Sequence, residues 1–291
     1  MRVEVRDLTV RYGGTAAIEG LGLALEADKI HGLLGRNGAG KTTLLAVLAA
    51  FRPADAGQVL VNGAYPFEHP TLTRDICFVR DKVDAEESDK VRRVLELAQG
   101  LRPNWDQAYA EKLIELFNLP PRRRVSALSR GMRSALAITI GLAARAPLTI
   151  FDEAFLGLDA PSRYAFYDEL LADYLAHPRT VILSTHLIDE IAPLFEDVVI
   201  IDRGRLVLHE QAETLRSRGA AVVGPAETVD RFVEGLTVLS EQRLGPTKSI
   251  TVLGELGRER RLAAQALELE LGPVGLQDLF VHLTKPREAQ S

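Results

Sequence analysis

Gly35-Arg36-Asn37-Gly38-Ala39-Gly40-Lys41-Thr42-Thr43 constrains this chain more than any other stretch. Four residues lie between two glycines, and Lys and Thr follow, which is the spacing of a phosphate-cradling loop. The preceding run, Lys29-Ile30-His31-Gly32-Leu33-Leu34, reads as a short buried strand. The following run, Leu44-Leu45-Ala46-Val47-Leu48-Ala49-Ala50, is dense in helix formers. Strand, glycine loop and helix are the context that gives the pattern its meaning, since a glycine-rich turn alone arises easily.

The residue types follow from the chemistry of a bound anion. Glycines let the backbone curl so that successive N–H groups point inward, with no side chains in the way. The helix adds the partial positive charge of its N-terminus. Lys41 is placed to reach the β- and γ-phosphates, and the Thr42 hydroxyl to hold Mg²⁺. The stretch predicts binding of a nucleoside triphosphate.

Composition narrows the setting. A chain of 291 residues suits one large domain with a smaller one attached. With 46% hydrophobic and 26% charged residues it reads as an ordinary soluble globular protein. A formal net charge of −5 argues against general nucleic-acid binding, which needs a basic face. The single Cys77 excludes an intramolecular disulfide and fits a reducing cytosol. Met1 to Arg6 alternates like a half-exposed strand rather than a signal peptide. The longest apolar stretch, Ala135 to Ala144, falls short of the roughly twenty residues that span a bilayer. Any membrane function therefore falls to a partner.

Residues 1–30 read as antiparallel sheet, with Val3, Val5, Leu8 and Val10 in one run and Leu21, Leu23 and Leu25 in the next. Arg11-Tyr12-Gly13-Gly14 between them is a turn carrying an aromatic. Tyr12 there is either an edge or turn-capping tyrosine or a platform for a purine. Gly57 to Gly63 reads as a strand closed by an Asn62-Gly63 turn, and Asp75 to Asp81 as another short buried strand. After the acidic loop Asp84 to Asp89 come amphipathic helices, Val91–Ala98 and Asp106–Phe117, with Trp105 as a packing residue. Arg122-Arg123-Arg124 is either a solvated run or a face for an acidic partner or a phosphate. Arg133 to Ala144 reads as a buried helix, just after Leu128-Ser129-Arg130-Gly131-Met132.

Leu148-Thr149-Ile150-Phe151-Asp152-Glu153 is an apolar run ending in two acids. That places both carboxylates at the carboxyl end of a central parallel strand, where α/β sheets bind ligands. Asp152 there can hold Mg²⁺ through water, and Glu153 can polarise a water attacking the γ-phosphate. Asp159, before Pro161, reads as a helix cap or as a contact to a second site. Thr180 to His186 is a strand whose terminal His186 is placed to sense a γ-phosphate. Asp197 to Leu208 reads as a hairpin turning at Asp202-Arg203-Gly204. Beyond about residue 217 a small unit follows, without a phosphate or metal motif. Its strands are expected at Ala220–Val223, Leu236–Glu241 and Ser249–Leu253, and its helices at Ala226–Val233, Arg258–Leu267 and Leu276–Leu283. Its turns fall at Gly224-Pro225, Gly245-Pro246 and Gly272-Pro273.

In this order, the glycine loop, helical insert, Leu-Ser-x-Gly, acidic strand end, Gly157-Leu158-Asp159 and strand-end His186 resemble the ATPase subunit of ATP-binding cassette (ABC) transporters. The resemblance implies an α/β fold, a P-loop NTPase with a central mostly parallel sheet and an N-terminal antiparallel β subdomain. An α-helical insert lobe at about 82–146 belongs to the same domain, 1–215, and a small α+β domain at 216–291 serves regulation or dimer contact. It implies ATP and Mg²⁺ as ligands and a head-to-tail dimer, homo- or heteromeric, that sandwiches ATP. Gly35 to Thr43, Lys41, Thr42, Asp152, Glu153 and His186 then act in one subunit. Ser129, Gly131 and Asp159 reach across from the other, and Tyr12 stacks on adenine. The partner is a polytopic membrane permease, and the subunit sits in the cytoplasm, peripheral to the inner face of the membrane. Neither nucleic acid nor direct membrane insertion is expected.

Two departures from the family pattern stand out. Arg130 and Met132 replace a glycine and a glutamine of the signature, while Gly131 is kept. Asp81 stands where the family usually has a glutamine that touches Mg²⁺ and the attacking water, which implies slow or partner-coupled hydrolysis. The tail after residue 205 and Arg102-Pro103-Asn104-Trp105-Asp106 look like ATPase subunits of ABC-2-type exporters. The rival readings are a soluble ABC-type ATPase acting on ribosomes or DNA and a regulatory module that binds ATP and barely hydrolyses it.

Overall fold

The computed structural model describes residues 1–81, 85–254 and 256–284. The first acid of the predicted acidic loop, Asp84, lies outside the described residues. The chain divides into two compact units, Met1–His186 with Ile201–Leu206, and Leu187–Ile200 with the chain from Val207 on. The division expected at 215/216 does not coincide with this one, because the segments 187–200 and 207–217 pack with the C-terminal elements.

The first unit opens with β1 (Val3–Tyr12) and β2 (Thr15–Leu25), antiparallel with Val3 opposite Leu25 and Val5 opposite Leu23. Their alternating apolar residues go inward and their polar ones outward, as one-sided sheets require. Tyr12 and Thr15 close the hairpin around Gly13 and Gly14, both at positive φ, so the turn predicted from sequence is a two-residue one. β3 (Ile30–Leu34) is buried at every residue and runs into the glycine loop and α1 (Lys41–Leu48). β4 (Ala56–Val61) pairs with β1 and ends at the Asn62-Gly63 turn, again with both residues at positive φ.

β5 (Ile76–Arg80) precedes the helical lobe of α2 (Val91–Leu101), α3 (Gln107–Leu116) and α4 (Arg130–Ala143). Asp106 caps α3 by accepting the Tyr109 N–H, and Ser129 caps α4 by accepting that of Met132. The capped start puts α4 three residues ahead of the expected Arg133, so Gly131 lies inside its first turn. Trp105 is half-buried and donates to Gln107 Oε1, whereas Arg122, Arg123 and Arg124 are exposed.

β6 (Leu148–Asp152) leads through a tight loop to α5 (Ala160–Ala176), then β7 (Thr180–Ser184). The strands lie in the order β5-β6-β7-β3, all parallel. Their near-continuous apolar sequences are buried on both faces, as parallel strands demand. Behind β6 the rings of Phe151, Phe155, Phe166 and Tyr167 stack at centroid distances of 5.3 to 5.6 Å and fix the strand from below. A partly buried ion network ties the lobe to this core: Arg145 meets Asp106 at 2.7 Å and the buried Asp173 at 3.0 Å, and Arg179 meets Asp173 at 2.7 Å.

Past His186 come α6 (Ile188–Ile191), β8 (Asp197–Asp202) and β9 (Arg205–Gln211), the last two joined at Arg203-Gly204. In the second unit, α7 (Ala212–Ser217) precedes β10 (Gly219–Pro225), α8 (Ala226–Phe232), β11 (Thr237–Leu244) and β12 (Thr247–Leu253). Then follow α9 (Arg258–Ala266), β13 (Glu270–Pro273) and α10 (Leu276–Leu283). The sheet order β11-β12-β10-β13, entirely antiparallel, is a split β-α-β-β-α-β arrangement over a core of Val222, Val229, Ile250, Val252 and Ala264. Of the three Gly-Pro pairs expected to be turns, only Gly245-Pro246 is one. Pro225 ends β10, and Pro273 ends the edge strand β13, where a missing N–H disturbs no ladder.

Candidate functional site

The parallel register brings the carboxyl ends of the central strands to one line. Arg80 pairs with Asp152, Asp152 with Ser184, and Leu33 with Ser184. Everything that leaves these strand ends faces a common space: the glycine loop after β3, Asp81 after β5, Glu153 after β6 and His186 after β7.

The glycine loop takes its shape from close approaches. Gly40, the N-cap of α1, has φ +102, and a Cβ there would lie 2.7 Å from the Ala17 carbonyl, so only glycine fits. The Lys41 ammonium folds back over the loop and donates to Gly35 O at 2.7 Å and to Arg36 O at 3.4 Å. It also lies 3.9 Å from Glu153 Oε1. Burial pushes the Lys41 amine below its usual range, and the charges of Glu153 and Asp152 oppose that shift. This is a cation stripped of water and held over the space where α1 points its free N–H groups.

The two acids differ sharply. Asp152 is buried, and burial raises its carboxyl above the usual range, while the neighbouring Thr42 and Ser184 hydroxyls pull it down. Its Oδ1 is buried without a hydrogen-bond partner. Glu153 is half-exposed and sits at φ +51, a left-handed backbone that few non-glycine residues adopt. Its N–H bonds the Ser184 carbonyl at 3.0 Å, and its Oε1 lies 3.4 Å from His186 Nδ1. The left-handed turn directs the second acid away from the first, toward the lysine and the histidine.

Two adjoining cavities share Thr42 and Glu153. One, of about 510 Å³, is lined by Tyr12, Ala17, Asn37 to Thr43 and Glu153. The other, of about 330 Å³, is lined by Thr42, Arg80, Asp81, Arg130, Asp152, Glu153 and Leu156. Tyr12 is 53% exposed, and its phenol is held below the usual range chiefly by Arg52, with Thr43 adding to the effect. Gly35 and Arg36 contribute carbonyls to Lys41 rather than cavity wall.

Ser129, Gly131 and Asp159 lie elsewhere on the same unit. Ser129 is exposed, and its Oγ accepts the Met132 N–H at 3.2 Å. Gly131 supplies the second N–H of α4, which has no acceptor within a helix. Asp159 is exposed and caps α5 by accepting the Ser162 N–H at 3.0 Å, and the Ser162 hydroxyl, with that N–H, lowers its carboxyl. The loop after Glu153 packs on the start of α4: a Cβ on Gly131 would lie 3.0 Å from Gly157 O, and one on Gly157 would overlap Ser134 Oγ.

Sequence reasoning missed Ser184, Arg80 and Arg130 as neighbours of the acids, and Arg52 as a neighbour of Tyr12. Ser184 becomes visible once β6 and β7 are paired in register. The other three reach the site on long side chains that leave no periodic signal.

Residues 18–156 match the protein family described as ABC transporter. The chain is 30% identical over 295 residues, 94% of its length and 93% of the relative's, to the daunorubicin resistance ATP-binding protein DrrA3 of Streptomyces coeruleorubidus. It is 26% identical over 189 residues to the ABC transporter ATP-binding protein YtrB of Bacillus subtilis, a match spanning 65% of each chain and so less than two thirds of that relative. Among solved structures, an ATP-binding subunit of an ABC transporter superposes with a TM-score of 0.67 at 24% identity, covering 74% of this chain and 92% of that one.

Proposed function

The chain belongs to the ATP-binding subunits of ABC transporters, and from that premise we propose how its residues divide the work of hydrolysing ATP. Lys41 and the backbone N–H groups of Gly38 to Thr43 bind the β- and γ-phosphates, and Tyr12 takes the adenine. Glu153 polarises the attacking water, with His186 hydrogen-bonded to its carboxylate and reaching the γ-phosphate. The observation that carries this reading is the convergence of Lys41, Thr42, Asp152 and Glu153 on one space, with a buried carboxylate oxygen of Asp152 left unpaired.

That unpaired oxygen and the Thr42 hydroxyl are hard oxygen donors and suit Mg²⁺. The ion would neutralise charge on the phosphates as they separate. Asp81 lines the same cavity and can reach such an ion through water. Among the described residues no group of three or more His, Cys, Asp and Glu is placed to hold a metal ion.

Ser129, Gly131 and Asp159 act on the nucleotide of a second subunit. Ser129 offers its hydroxyl hydrogen, Gly131 its unpaired N–H and α4 its positive end. ATP then joins two copies head to tail, and hydrolysis releases them. Among the described residues no helix is long and apolar enough to cross a membrane. The transport path belongs to a separate membrane permease, and this subunit sits peripheral to it at the inner face of the membrane. An apolar groove of about 440 Å³, lined among others by Phe51, Phe78, Val94, Leu97, Leu101 and Ile140, offers it a docking surface. Export as the direction rests on the drug-resistance relative. Asp81 favours one second reading, a module that binds ATP and turns it over slowly.

The test is Glu153→Gln. The variant is expected to keep ATP affinity, to lose turnover by about 10²- to 10⁴-fold, and to shift from monomer to dimer by light scattering when ATP is added. Normal turnover, or no ATP-dependent change in mass, overturns the assignment.

A further inference from the structure

Tyr12 sits on a two-residue turn with half its surface exposed, so its own hairpin does little to orient the ring. Arg52 orients it. The guanidinium carbon lies 4.3 Å from the centroid of the Tyr12 ring, within cation–π range. That guanidinium is itself tethered, since Nη2 meets Asp55 Oδ2 at 3.2 Å and the Arg11 carbonyl at 3.3 Å. Asp55 Oδ2 in turn accepts the Arg11 N–H at 2.8 Å. The same carboxylate therefore fixes the cation and the strand end from which Tyr12 projects. Tyr12 lines the cavity of the glycine loop, whereas Arg52 does not.

We infer that Arg52 is a positioning residue for the nucleotide base: it covers one face of Tyr12, fixes the ring through Asp55, and leaves the face toward the glycine loop for a purine. The inference rests on the ATP-binding reading above. A planar fork suits this task better than a point charge, because it can lie along a ring while bonding sideways to a carboxylate and a carbonyl. An unbacked ring must be ordered by the incoming base, at a cost to affinity. The phosphates, bound by Lys41 and the loop, are untouched by Arg52, so its influence belongs to the base alone.

Two probes separate base from phosphate recognition: ATP and inorganic tripolyphosphate, titrated with the full chain by calorimetry. Arg52→Ala is expected to weaken ATP about two- to fivefold, the size of one exposed cation–π contact, and to leave tripolyphosphate unchanged. In turnover the change falls on KM rather than kcat. In a Tyr12→Ala background, Arg52→Ala is expected to add nothing. Equal weakening of both probes, or an undiminished effect of Arg52→Ala without Tyr12, overturns the inference. Wild-type chain that binds tripolyphosphate but not ATP overturns it as well. Wild-type chain that binds neither probe overturns the ATP-binding reading and this inference with it.

Discussion

The glycine loop and the Ser129–Gly131 stretch both lead into helix N-termini, proposed here as the two walls of an anion site, yet they are finished to different degrees. At the first, Lys41 already has two carbonyls and a carboxylate around it, and Asp152 has hydroxyls on either side. At the second, Ser129 and Asp159 satisfy the helices they begin and otherwise face solvent. The first wall is preorganised by burial. The second is a pair of capped helix starts at the surface, each cap spent on its own helix. On the proposed function, a site split in this way binds its ligand on one side and completes its chemistry only when another subunit arrives.

The largest way to break the contrast is Lys41→Ala. Removing the buried cation is expected to lower turnover by on the order of 10²- to 10³-fold and to weaken ATP binding in the monomer, both read by titration and phosphate release. Next comes Gly131→Ala, whose methyl would press on the Gly157 carbonyl 3.0 Å away. It should leave monomer ATP affinity intact while reducing turnover and ATP-driven dimerisation roughly tenfold, the worth of one hydrogen bond to a charged group. A loss of monomer affinity with Gly131→Ala would erase the distinction between the walls. Asp81→Gln is expected to change the hydrolysis rate more than nucleotide affinity, and equal effects on both would assign Asp81 to binding alone. The smallest effect is on stability: Ser129→Ala, besides weakening ATP-driven dimerisation, removes the cap of α4, costing about 1 kcal/mol and lowering the monomer's melting temperature by roughly 2–4 °C.

The same contrast explains what sequence could show. The glycine loop, the acid pair of β6 and His186 at the end of β7 were legible because each sits where an apolar strand stops, and strand ends are written in local composition. In the small unit, α10 was expected at Leu276–Leu283, the bounds observed, because its amphipathic spacing is complete within one helix. The start of α4 was misplaced because Gly131 is a poor helix former, while the Ser129 cap and the missing bonds of a first turn make its propensity count for little there. β13 was hidden because Gly272-Pro273 reads as a turn, and only its place at a sheet edge makes the proline harmless. Arg52 over Tyr12 was illegible for a different reason. Forty residues separate the two, and neither the charge nor the ring announces the other.

The contact between Gly131 and Gly157 has a mechanical meaning. Most neighbouring loops touch through side chains, which swing between rotamers and absorb small displacements. Here two backbones meet with no side chain between them, and Ser134 closes the gap from behind. Such a joint has no play. A shift in the loop that follows Glu153 therefore meets the tip of α4 with no side chain between them to absorb it. One end of that link begins beside Glu153, the carboxylate proposed to act on this chain's own nucleotide. The other end is the capped start of α4, so on the proposed function the state of one site would reach the other as a displacement rather than as a signal passed between side chains.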